Sequence, residues 1–378
     1  MVRVISVLLI LIVLCLPVGL WGSSWYQGGE LKGMHLNAPK PQFSWQSFWL
    51  GEYQSQFTEY FNQRFALRSE YVKLNNELYY DLFRKSYMYK GDLIIGDYDY
   101  IYERYYLDDY TTCRATDQEL KTLIADIEIV QKKLMEYDKK FCFIITPSKV
   151  RTIPEFVPDG YKEIVLRNDL PYDKLIAALK STGIYYIDGQ EIIRSEKQKT
   201  GKMLFAKGGT HWNEMGTAIM MTEITRFLNQ RYDLKLSMPE LARVTTDLSP
   251  KGYDRDLYDL LNLIRPASYE VEHLSWNMVY AGEKQYHIGF IGGSFCWNLV
   301  DFMQETKQYN PIDVYFYYRL GNSHFNDGKR EELDTLDKLT ASKWREEILK
   351  HDIIILELNS SMPIEPLEEF LKAAKLWL

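Results

Sequence analysis

The amino-acid sequence predicts an α/β protein in which a mostly parallel sheet is covered by helices on both faces. Short, almost wholly apolar segments alternate with amphipathic segments between residues 117 and 358. The apolar segments have the length of strands, and their lack of polar–apolar alternation indicates strands that are buried on both faces. The amphipathic segments supply the covering helices. Ligands of such sheets bind beyond the carboxyl ends of the strands, so we expect the functional site there.

Each element follows from its local pattern. Helical periodicity extends from Phe48 to Phe83, and two short β-like runs follow, Asp92–Gly96 and Tyr100–Tyr102. In the alternating section the predicted helices are Asp117–Tyr137, Tyr172–Ser181, Asn213–Asn229 (with Asn213 as its N-cap) and Lys338–Leu349. The predicted strands are Phe141–Thr146, Ile184–Ile187, Tyr286–Ile291, Val314–Tyr317 and Asp352–Leu358.

The amino terminus predicts a membrane anchor. Residues Val4–Trp21 form an uncharged apolar run after Arg3, and about 18 such residues just suffice to cross a bilayer. The basic residue before the run predicts a cytoplasmic tip and an exported body, with a cleaved signal peptide as the alternative. We therefore expect a signal-anchor helix over residues 1–21, a linker over 22–45 and an α/β domain over 46–378, whose residues 46–110 form a helical and β-turn entry segment. The expected location is a bacterial cell membrane, single-pass, with an extracytoplasmic domain.

Composition narrows the classes of function. The net charge is −7 and the charged residues are of mixed sign throughout, which argues against binding to nucleic acid. Outside the predicted anchor lie Cys113, Cys142 and Cys296, an odd number without a CxxC or Cys/His spacing. We expect free buried thiols, with one disulfide as the alternative, and no metal site.

A serine and a histidine are the main candidates for catalysis. Ser294 follows two glycines directly after the predicted strand Tyr286–Ile291, where a sharp turn can present its hydroxyl and its backbone N–H can face a developing oxyanion. His211 lies between a glycine-rich loop and the start of a predicted helix. A neutral imidazole there can accept the proton of a serine hydroxyl and return it to a leaving group. A plain turn and a structural histidine are the alternatives.

A third segment, Ile145–Lys149, follows the predicted strand Phe141–Thr146. Pro147 fixes the exit of the chain from that strand, so that Ser148 and Lys149 project over the edge of the sheet. We expect these two residues to position other groups, and a second Ser/Lys nucleophile is the alternative.

Taken together, these segments resemble the SGNH-hydrolase-like proteins of the alginate O-acetyltransferase family, which acetylate bacterial exopolysaccharides. The resemblance extends over roughly residues 50–365 and implies a flavodoxin-like fold. The order and spacing of the segments are more specific than any single piece. The matching segments are Phe61–Arg68, Gly96-Asp97, Ile145–Lys149, Gly208–Gly216, the elbow around Ser294, and Ile353–Asn359.

The resemblance implies a catalytic triad that is incomplete at the expected positions. In that family an Asp-x-His pair and the serine of a Gly-Asp-Ser-Phe elbow form the triad. The matching residues here are His211 and Ser294. Gly209 and Gly293 occupy the positions of the two aspartates. Losing the triad carboxylate costs a rate factor of about 10⁴. A backbone carbonyl could orient His211, another carboxylate could reach it (Asp188, Asp254 or Asp256), or the site could be inactive and kept for glycan binding. Candidate oxyanion or substrate-binding residues at predicted strand ends are Asn359, Tyr318, Arg319 and Asn322.

The function expected from the resemblance is O-acetylation of a cell-surface or secreted polysaccharide outside the cytoplasm, without a cofactor. A multispanning membrane acyltransferase is the expected acetyl donor. A carbohydrate acetylesterase uses the same residues with water as the acceptor. A non-catalytic glycan-binding scaffold of an export complex is the competing class.

Overall fold

The computed structural model describes residues 2–20, 29–34, 36–87, 92–112, 115–165, 171–277, 284–361 and 364–378. The chain divides into two compact units, one of residues 1–94 and 257–267 and the other of residues 95–256 and 268–378. The second unit contains the sheet and the predicted site residues.

The first unit is helical. Its helices are α1 (Val2–Leu20), α2 (Trp45–Trp49), α3 (Glu52–Arg64) and α4 (Arg68–Phe83), together with residues 257–260 of a later helix, α12 (Asp256–Leu260). The helical pattern predicted from Phe48 to Phe83 is thus interrupted twice, at Gly51 and Leu67, which both adopt left-handed backbone conformations with φ of 81° and 62°. Inside this unit the Asn76 amide donates a hydrogen bond to the Leu261 carbonyl over 2.9 Å.

The predicted membrane anchor is not supported. A helix needs about 20 consecutive apolar residues to cross a bilayer. In the part of the chain that the structure describes, none of the helices meets the required combination of length and apolar character. This finding contradicts the predicted single-pass location in the cell membrane.

The remaining elements alternate along the rest of the chain. The helices are α5 (Arg104–Thr112), α6 (Asp117–Glu136), α7 (Lys149–Thr152), α8 (Asp159–Val165), α9 (Pro171–Leu179), α10 (Gly189–Thr200), α11 (Glu214–Tyr232), α12 (Asp256–Leu260), α13 (Phe295–Thr306), α14 (Ala341–Leu349) and α15 (Glu365–Trp377). The strands are β1 (Leu93–Ile95), β2 (Ile101–Glu103), β3 (Lys140–Thr146), β4 (Tyr186–Asp188), β5 (Glu240–Asp247), β6 (Val271–Asn277), β7 (Tyr286–Gly292), β8 (Tyr309–Phe316), β9 (Gly321–Asn326), β10 (Lys329–Leu333) and β11 (Ile353–Asn359).

The central sheet is mixed. Within the described residues it has seven strands in the order β10-β9-β8-β7-β11-β3-β4. The five strands from β8 to β4 run parallel to one another, and β9 and β10 add an antiparallel edge. The predicted α/β fold is therefore confirmed, with an antiparallel extension that the sequence pattern did not predict. Asp327 and Gly328, both with positive φ, form the tight turn between β9 and β10.

Helices cover both faces of this sheet. The helices α6, α9, α14 and α15 pack against the face that carries Phe141, Phe143, Ile354 and Leu356. The helices α10, α11 and α13 pack against one another and the opposite face. Strands β3, β7 and β11 end at one edge, where Asn359 is in register with Thr146. That edge holds the candidate site.

Candidate active site

Ser294 lies at the elbow between β7 and α13. It immediately precedes the first residue of α13 and has φ of −66° and ψ of −20°. Its side chain makes no hydrogen bond to the end of the helix, although serine is a favoured capping residue. The side chain is half-buried at the carboxyl edge of the sheet. The elbow therefore presents a hydroxyl group that helix capping does not consume.

Tyr317 explains why glycine occupies position 293. A Cβ atom on Gly293 would lie 2.7 Å from the hydroxyl oxygen of Tyr317 and 2.9 Å from its ring. An aspartate, as in the family elbow, would require the ring to move. A backbone hydrogen bond links Ser294 to the Tyr317 hydroxyl, while burial raises the pKa of this tyrosine above its ordinary value. Tyr317 therefore covers the inner side of the elbow as a neutral phenol.

A buried carboxyl group supports the elbow from below. Glu357 of β11 is 4% exposed, and its Oε2 atom accepts a hydrogen bond of 2.6 Å from the backbone N–H of Gly293. Its other oxygen accepts a hydrogen bond from the Thr146 hydroxyl. Burial is the largest influence on Glu357 and raises its pKa. Glu357 is not among the site residues predicted from the sequence, although a lone glutamate inside the apolar run DIIILEL was a usable signal.

His211 is held by a carboxylate. Its Nδ1–H donates a hydrogen bond of 2.8 Å to Oδ2 of Asp256, and the backbone N–H of Thr210 donates to Oδ1 over 2.8 Å. Because the carboxylate only accepts hydrogen bonds, Nδ1 carries a proton and the neutral ring has its lone pair on Nε2. Among the described residues Nε2 is buried without a hydrogen-bond partner. The geometry leaves a proton acceptor on the side of the ring that faces away from Asp256.

The His211 ring and the elbow are neighbours. The ring centroid of His211 lies 4.8 Å from that of Phe295, the residue after Ser294. On another side His211 contacts Tyr253, with centroids 5.3 Å apart. Nε2 and the Ser294 hydroxyl are not hydrogen-bonded to each other in this structure. Catalytic hydrogen bonds are often long without a substrate and tighten when it binds.

The missing family aspartate is explained by the segment that packs on Gly209. A Cβ atom there would lie 2.3 Å from the carbonyl oxygen of Tyr253 and 3.1 Å from Cα of Asp254. This close approach requires glycine. The same segment continues to Asp256, so the backbone that excludes a side chain at position 209 also brings a carboxylate to His211.

Lys149 fixes the loop that carries His211. Its ammonium group donates three hydrogen bonds, to the carbonyl oxygens of Ile101 (2.8 Å), Lys207 (2.8 Å) and Gly209 (2.7 Å). Burial is the largest influence on this group and lowers its pKa to about 7, against the opposing effect of Asp256 and other nearby carboxylates. Three carbonyl acceptors use all three ammonium hydrogens. This arrangement favours the predicted positioning role.

Ser148 is part of the supporting structure. It is buried, and its hydroxyl accepts a hydrogen bond of 3.3 Å from the backbone N–H of Arg151 at the start of α7. Its own backbone N–H donates to the Gln190 amide oxygen over 2.9 Å. Thr210, next to His211, donates a 2.5 Å hydrogen bond to Glu103, a second carboxyl group that was not predicted from the sequence.

The other candidate carboxylates lie elsewhere. Asp188 caps α10, and its Oδ1 accepts hydrogen bonds from the Tyr172 hydroxyl (2.8 Å) and the backbone N–H of Glu191 (3.1 Å). Asp254 is buried and lines a cavity beside Tyr253, and no hydrogen bond between its carboxyl group and His211 is found among the described residues. Of the three candidate carboxylates, Asp256 is the one that the structure brings to His211.

The predicted oxyanion and substrate-binding residues are mostly engaged in other contacts. The Asn359 amide donates to Thr146 and Pro147, at 3.2 and 3.1 Å. Tyr318 packs its ring against Phe370, and Arg319 forms an ion pair of 2.6 Å with Glu369. The buried Asn322 amide donates to the Asp334 carbonyl. Of these four, Asn359 and Tyr318 line a small cavity together with Gly293.

A larger cavity of about 310 Å³ adjoins the histidine. Tyr253, which touches the His211 ring, also donates a hydrogen bond of 3.2 Å to Asp301 in the cavity wall. Trp276 adds an aromatic face, and Lys251 adds a basic group. The four acidic residues of this wall, hereafter the acidic cavity, are Glu214, Asp254, Asp301 and Glu305.

Within the described part of the chain the thiols near the sheet take no part in a disulfide. Cys142 and Cys296 are free and buried, as expected. Cys113 lies outside the described residues.

A mostly parallel sheet with a serine elbow and a histidine–carboxylate pair at one edge defines an SGNH-hydrolase-like protein. Residues 103–326, more than half of the chain, match the family model described as ALGX, the SGNH hydrolase-like domain of acetyltransferase AlgX. The chain therefore belongs to this family of SGNH-like O-acetyltransferases, which confirms the resemblance drawn from the sequence.

Solved structures give similar matches at low identity. The O-acetyltransferase domain of Pseudomonas putida AlgJ aligns at 14% identity and a TM-score of 0.46, over 75% of this chain and 98% of that one. Pseudomonas aeruginosa AlgX aligns at 16% identity and a TM-score of 0.48, over 75% and 66%. Bacillus cereus PatB1 with a sulfonyl adduct aligns at 10% identity and a TM-score of 0.44, over 71% and 94%. No curated protein matches the chain at a significant level.

Proposed function

We propose that the protein transfers an acetyl group to a sugar hydroxyl through Ser294, His211 and Asp256. The hydrogen bond of 2.8 Å between His211 Nδ1 and Asp256 carries the proposal. That bond sets the tautomer in which Nε2 can accept a proton, which is the role of the carboxylate in a serine–histidine–aspartate triad. It favours an active enzyme over a glycan-binding scaffold that has lost its triad.

In the first half of the reaction the Ser294 hydroxyl attacks the carbonyl carbon of an acetyl donor. Nε2 of His211 accepts the hydroxyl proton, and Asp256 stabilises the imidazolium that forms. Nε2 then donates this proton to the leaving group as the bond between the leaving group and the acetyl carbon breaks. The product of this step is an acetyl ester on Ser294.

In the second half a sugar hydroxyl takes the place of the serine hydroxyl. Nε2 accepts its proton while its oxygen attacks the acetyl carbon of the serine ester. The proton returns to Ser294 as the serine–acetyl bond breaks, and an O-acetylated sugar leaves. Water in place of the sugar would give simple hydrolysis, the reaction of an acetylesterase.

An assay with p-nitrophenyl acetate tests the three residues. We expect Ser294→Ala and His211→Ala to reduce turnover to the uncatalysed rate. Asp256→Asn keeps the size of the side chain but removes the charge, and we expect kcat to fall by about 10³ to 10⁴-fold. Asp247→Asn, a change of the same chemistry at an exposed position on β5, is the matched control and should leave turnover unchanged.

Turnover that is indifferent to all three substitutions would contradict the proposal and favour a glycan-binding scaffold. Adding an oligosaccharide acceptor then separates the two reactions, because transfer yields an acetylated sugar while hydrolysis yields acetate alone. The polysaccharide acceptor, the multispanning membrane acyltransferase as donor and the extracytoplasmic setting stay predictions from the resemblance. The soluble ester lets the site be tested without them.

A further inference from the structure

A cluster of three histidines surrounds one buried aspartate at the end of the sheet opposite to Ser294. His287 lies near the start of β7, and His351 lies two residues before β11. Asp313 of β8 is directly opposite His324 of β9 in the antiparallel pairing. The histidine cluster, as we call these four residues, therefore joins neighbouring strands and takes no part in the proposed acyl transfer.

All three rings direct a nitrogen atom at the same carboxylate. His287 Nε2 and His351 Nε2 lie 2.7 and 2.8 Å from Oδ2 of Asp313, and His324 Nδ1 lies 2.5 Å from Oδ1. Asp313 is 1% exposed, so a buried carboxyl group faces three imidazole nitrogens.

His351 is oriented as a metal ligand would be. Its Nδ1 lies 3.0 Å from the carbonyl oxygen of Ile348, which can only accept, so Nδ1 carries a proton. Its Nε2 lies 2.8 Å from Oδ2 of Asp313, so the nitrogen that is free of the backbone points into the cluster. A metal-binding histidine typically donates its other N–H to a backbone carbonyl in this way.

We propose that the histidine cluster binds one Zn²⁺ ion. The ligand atoms of His287, Asp313 and His351 all lie within 4.8 Å of one another. A tetrahedral zinc site separates its ligand atoms by about 3.3 Å, so the imidazole–carboxylate contacts need to open by only about half an ångström. Two imidazoles and one carboxylate are a ligand set that zinc accepts, and His324, which contacts the other oxygen of Asp313, supplies the fourth ligand by moving towards the ion.

Entry and charge are compatible with a metal. The side chains of His287 and His324 are 16% and 22% exposed, which gives an ion a route from solvent. Lys350 Nζ lies 3.0 Å from Oδ2 of Asp313 and 2.7 Å from Glu347. Its side chain is 30% exposed, so it can keep the Glu347 contact and leave Asp313 when zinc binds.

Metal content of the full-length protein tests the site. The protein is stripped with a chelator, dialysed against excess Zn²⁺ and then against buffer, and analysed by inductively coupled plasma mass spectrometry. We expect one zinc per chain and a rise in Tm of at least about 3 °C at saturating Zn²⁺. Co²⁺ should give the intense visible absorption of a four-coordinate ion.

Variants separate a metal site from a hydrogen-bonded histidine network. His324→Gln, at the more exposed position, should keep the fold and weaken zinc binding at least about 10-fold, and His351→Gln should abolish it. His273→Gln is the control, because His273 also contacts carboxylates but lies on β6 outside the cluster. Less than about 0.2 zinc per wild-type chain, or equal zinc in wild type and His324→Gln, would overturn the proposal. If His351→Gln fails to fold, the His324→Gln comparison still decides.

Discussion

Asp254 is a carboxyl group whose surroundings oppose its charge. The residue is 5% exposed, and its pKa is raised to about 7, first by burial and then by the nearby Glu214. Its backbone carbonyl accepts a hydrogen bond of 2.6 Å from Tyr269, so the segment is fixed in place. The folded protein therefore keeps a proton on Asp254 at pH values where the unfolded chain has lost it.

This difference predicts a pH dependence of stability. A pKa raised on folding stabilises the folded state below the unfolded value of about 3.8, and that stabilisation is lost as pH rises to about 7. Asp254→Asn removes the titrating group. We expect the Tm of the variant, relative to wild type, to increase by a few degrees from pH 4.5 to pH 7.5. The corresponding change in the free energy of unfolding is on the order of 2–4 kcal/mol. Thermal melts in a buffer series measure it, and a Tm difference that is constant with pH would contradict the shifted titration.

At the scale of residues, part of the site could be predicted from the sequence. Ser294 and His211 could be selected because glycine-rich turns at strand ends expose side chains. Asp256 could be offered only as one of three carboxylates, since its position depends on how a later segment packs on Gly209. Glu103 was missed because a single acidic residue in a short polar strand carries no signal of its partners, and Glu357 was missed although its place inside an apolar run was a signal.

At the scale of elements, the segment Gly252–Asp256 acts as a unit with the loop that precedes α11. A short 3₁₀ helix, Gly252–Asp254, presses the Tyr253 carbonyl against Gly209, and two residues later Asp256 reaches His211. The distance between the two backbones thus determines the distance between carboxylate and imidazole.

We therefore predict that Gly209→Ala displaces Asp256. A methyl group 2.3 Å from the Tyr253 carbonyl cannot be accommodated without moving that segment. With the histidine–aspartate hydrogen bond broken, kcat for p-nitrophenyl acetate should fall by about 10² to 10³-fold at unchanged protein folding, checked by circular dichroism. Gly160→Ala is the matched control, because nothing lies within 4 Å of its Cβ position and alanine favours the helix α8. Equal activity of the two variants would contradict this coupling.

The elements themselves were predictable to different degrees. The buried strands β3, β7 and β11 were found because each is a continuous apolar run that has the length of a strand and is too short for a helix. The strand β5 was missed because every residue in it is exposed, so it shows no apolar pattern. The β9–β10 hairpin was also missed, although the dipeptide Asp327-Gly328 is a strong hairpin signal between two strands.

At the scale of the whole molecule, the acidic cavity makes the electrostatic potential beside the site negative. Four carboxyl groups line it, and the net charge of the chain is −7. Burial first, and then the charges of Glu214 and Asp301, raise the pKa of Glu305, so the carboxylates of this wall already repel one another. A polyanionic chain approaching this cavity meets like charge, whereas a neutral chain does not.

On the proposed function, we predict that neutral oligosaccharide acceptors are acetylated faster than polyuronates of equal length. The ratio of kcat/KM should be about 10-fold at low ionic strength and should shrink as salt is added. The double substitution Asp301→Asn and Glu305→Gln in the cavity should reduce this ratio. Glu346→Gln, on the exposed surface of α14, should leave the ratio unchanged. A polyuronate that is acetylated as fast as the neutral acceptor would contradict this prediction.

The carboxylate at His211 has a consequence for how relatives are sorted. Asp256 comes 45 residues after the histidine, whereas the family motif has its aspartate two residues before the histidine. A search for that sequence motif would classify this chain as inactive, although the imidazole still has an acidic partner. Comparisons within this family should therefore identify the carboxylate that lies beside Nδ1 in the structure. The histidine–carboxylate pair can be kept even when the acidic residue comes from a different loop.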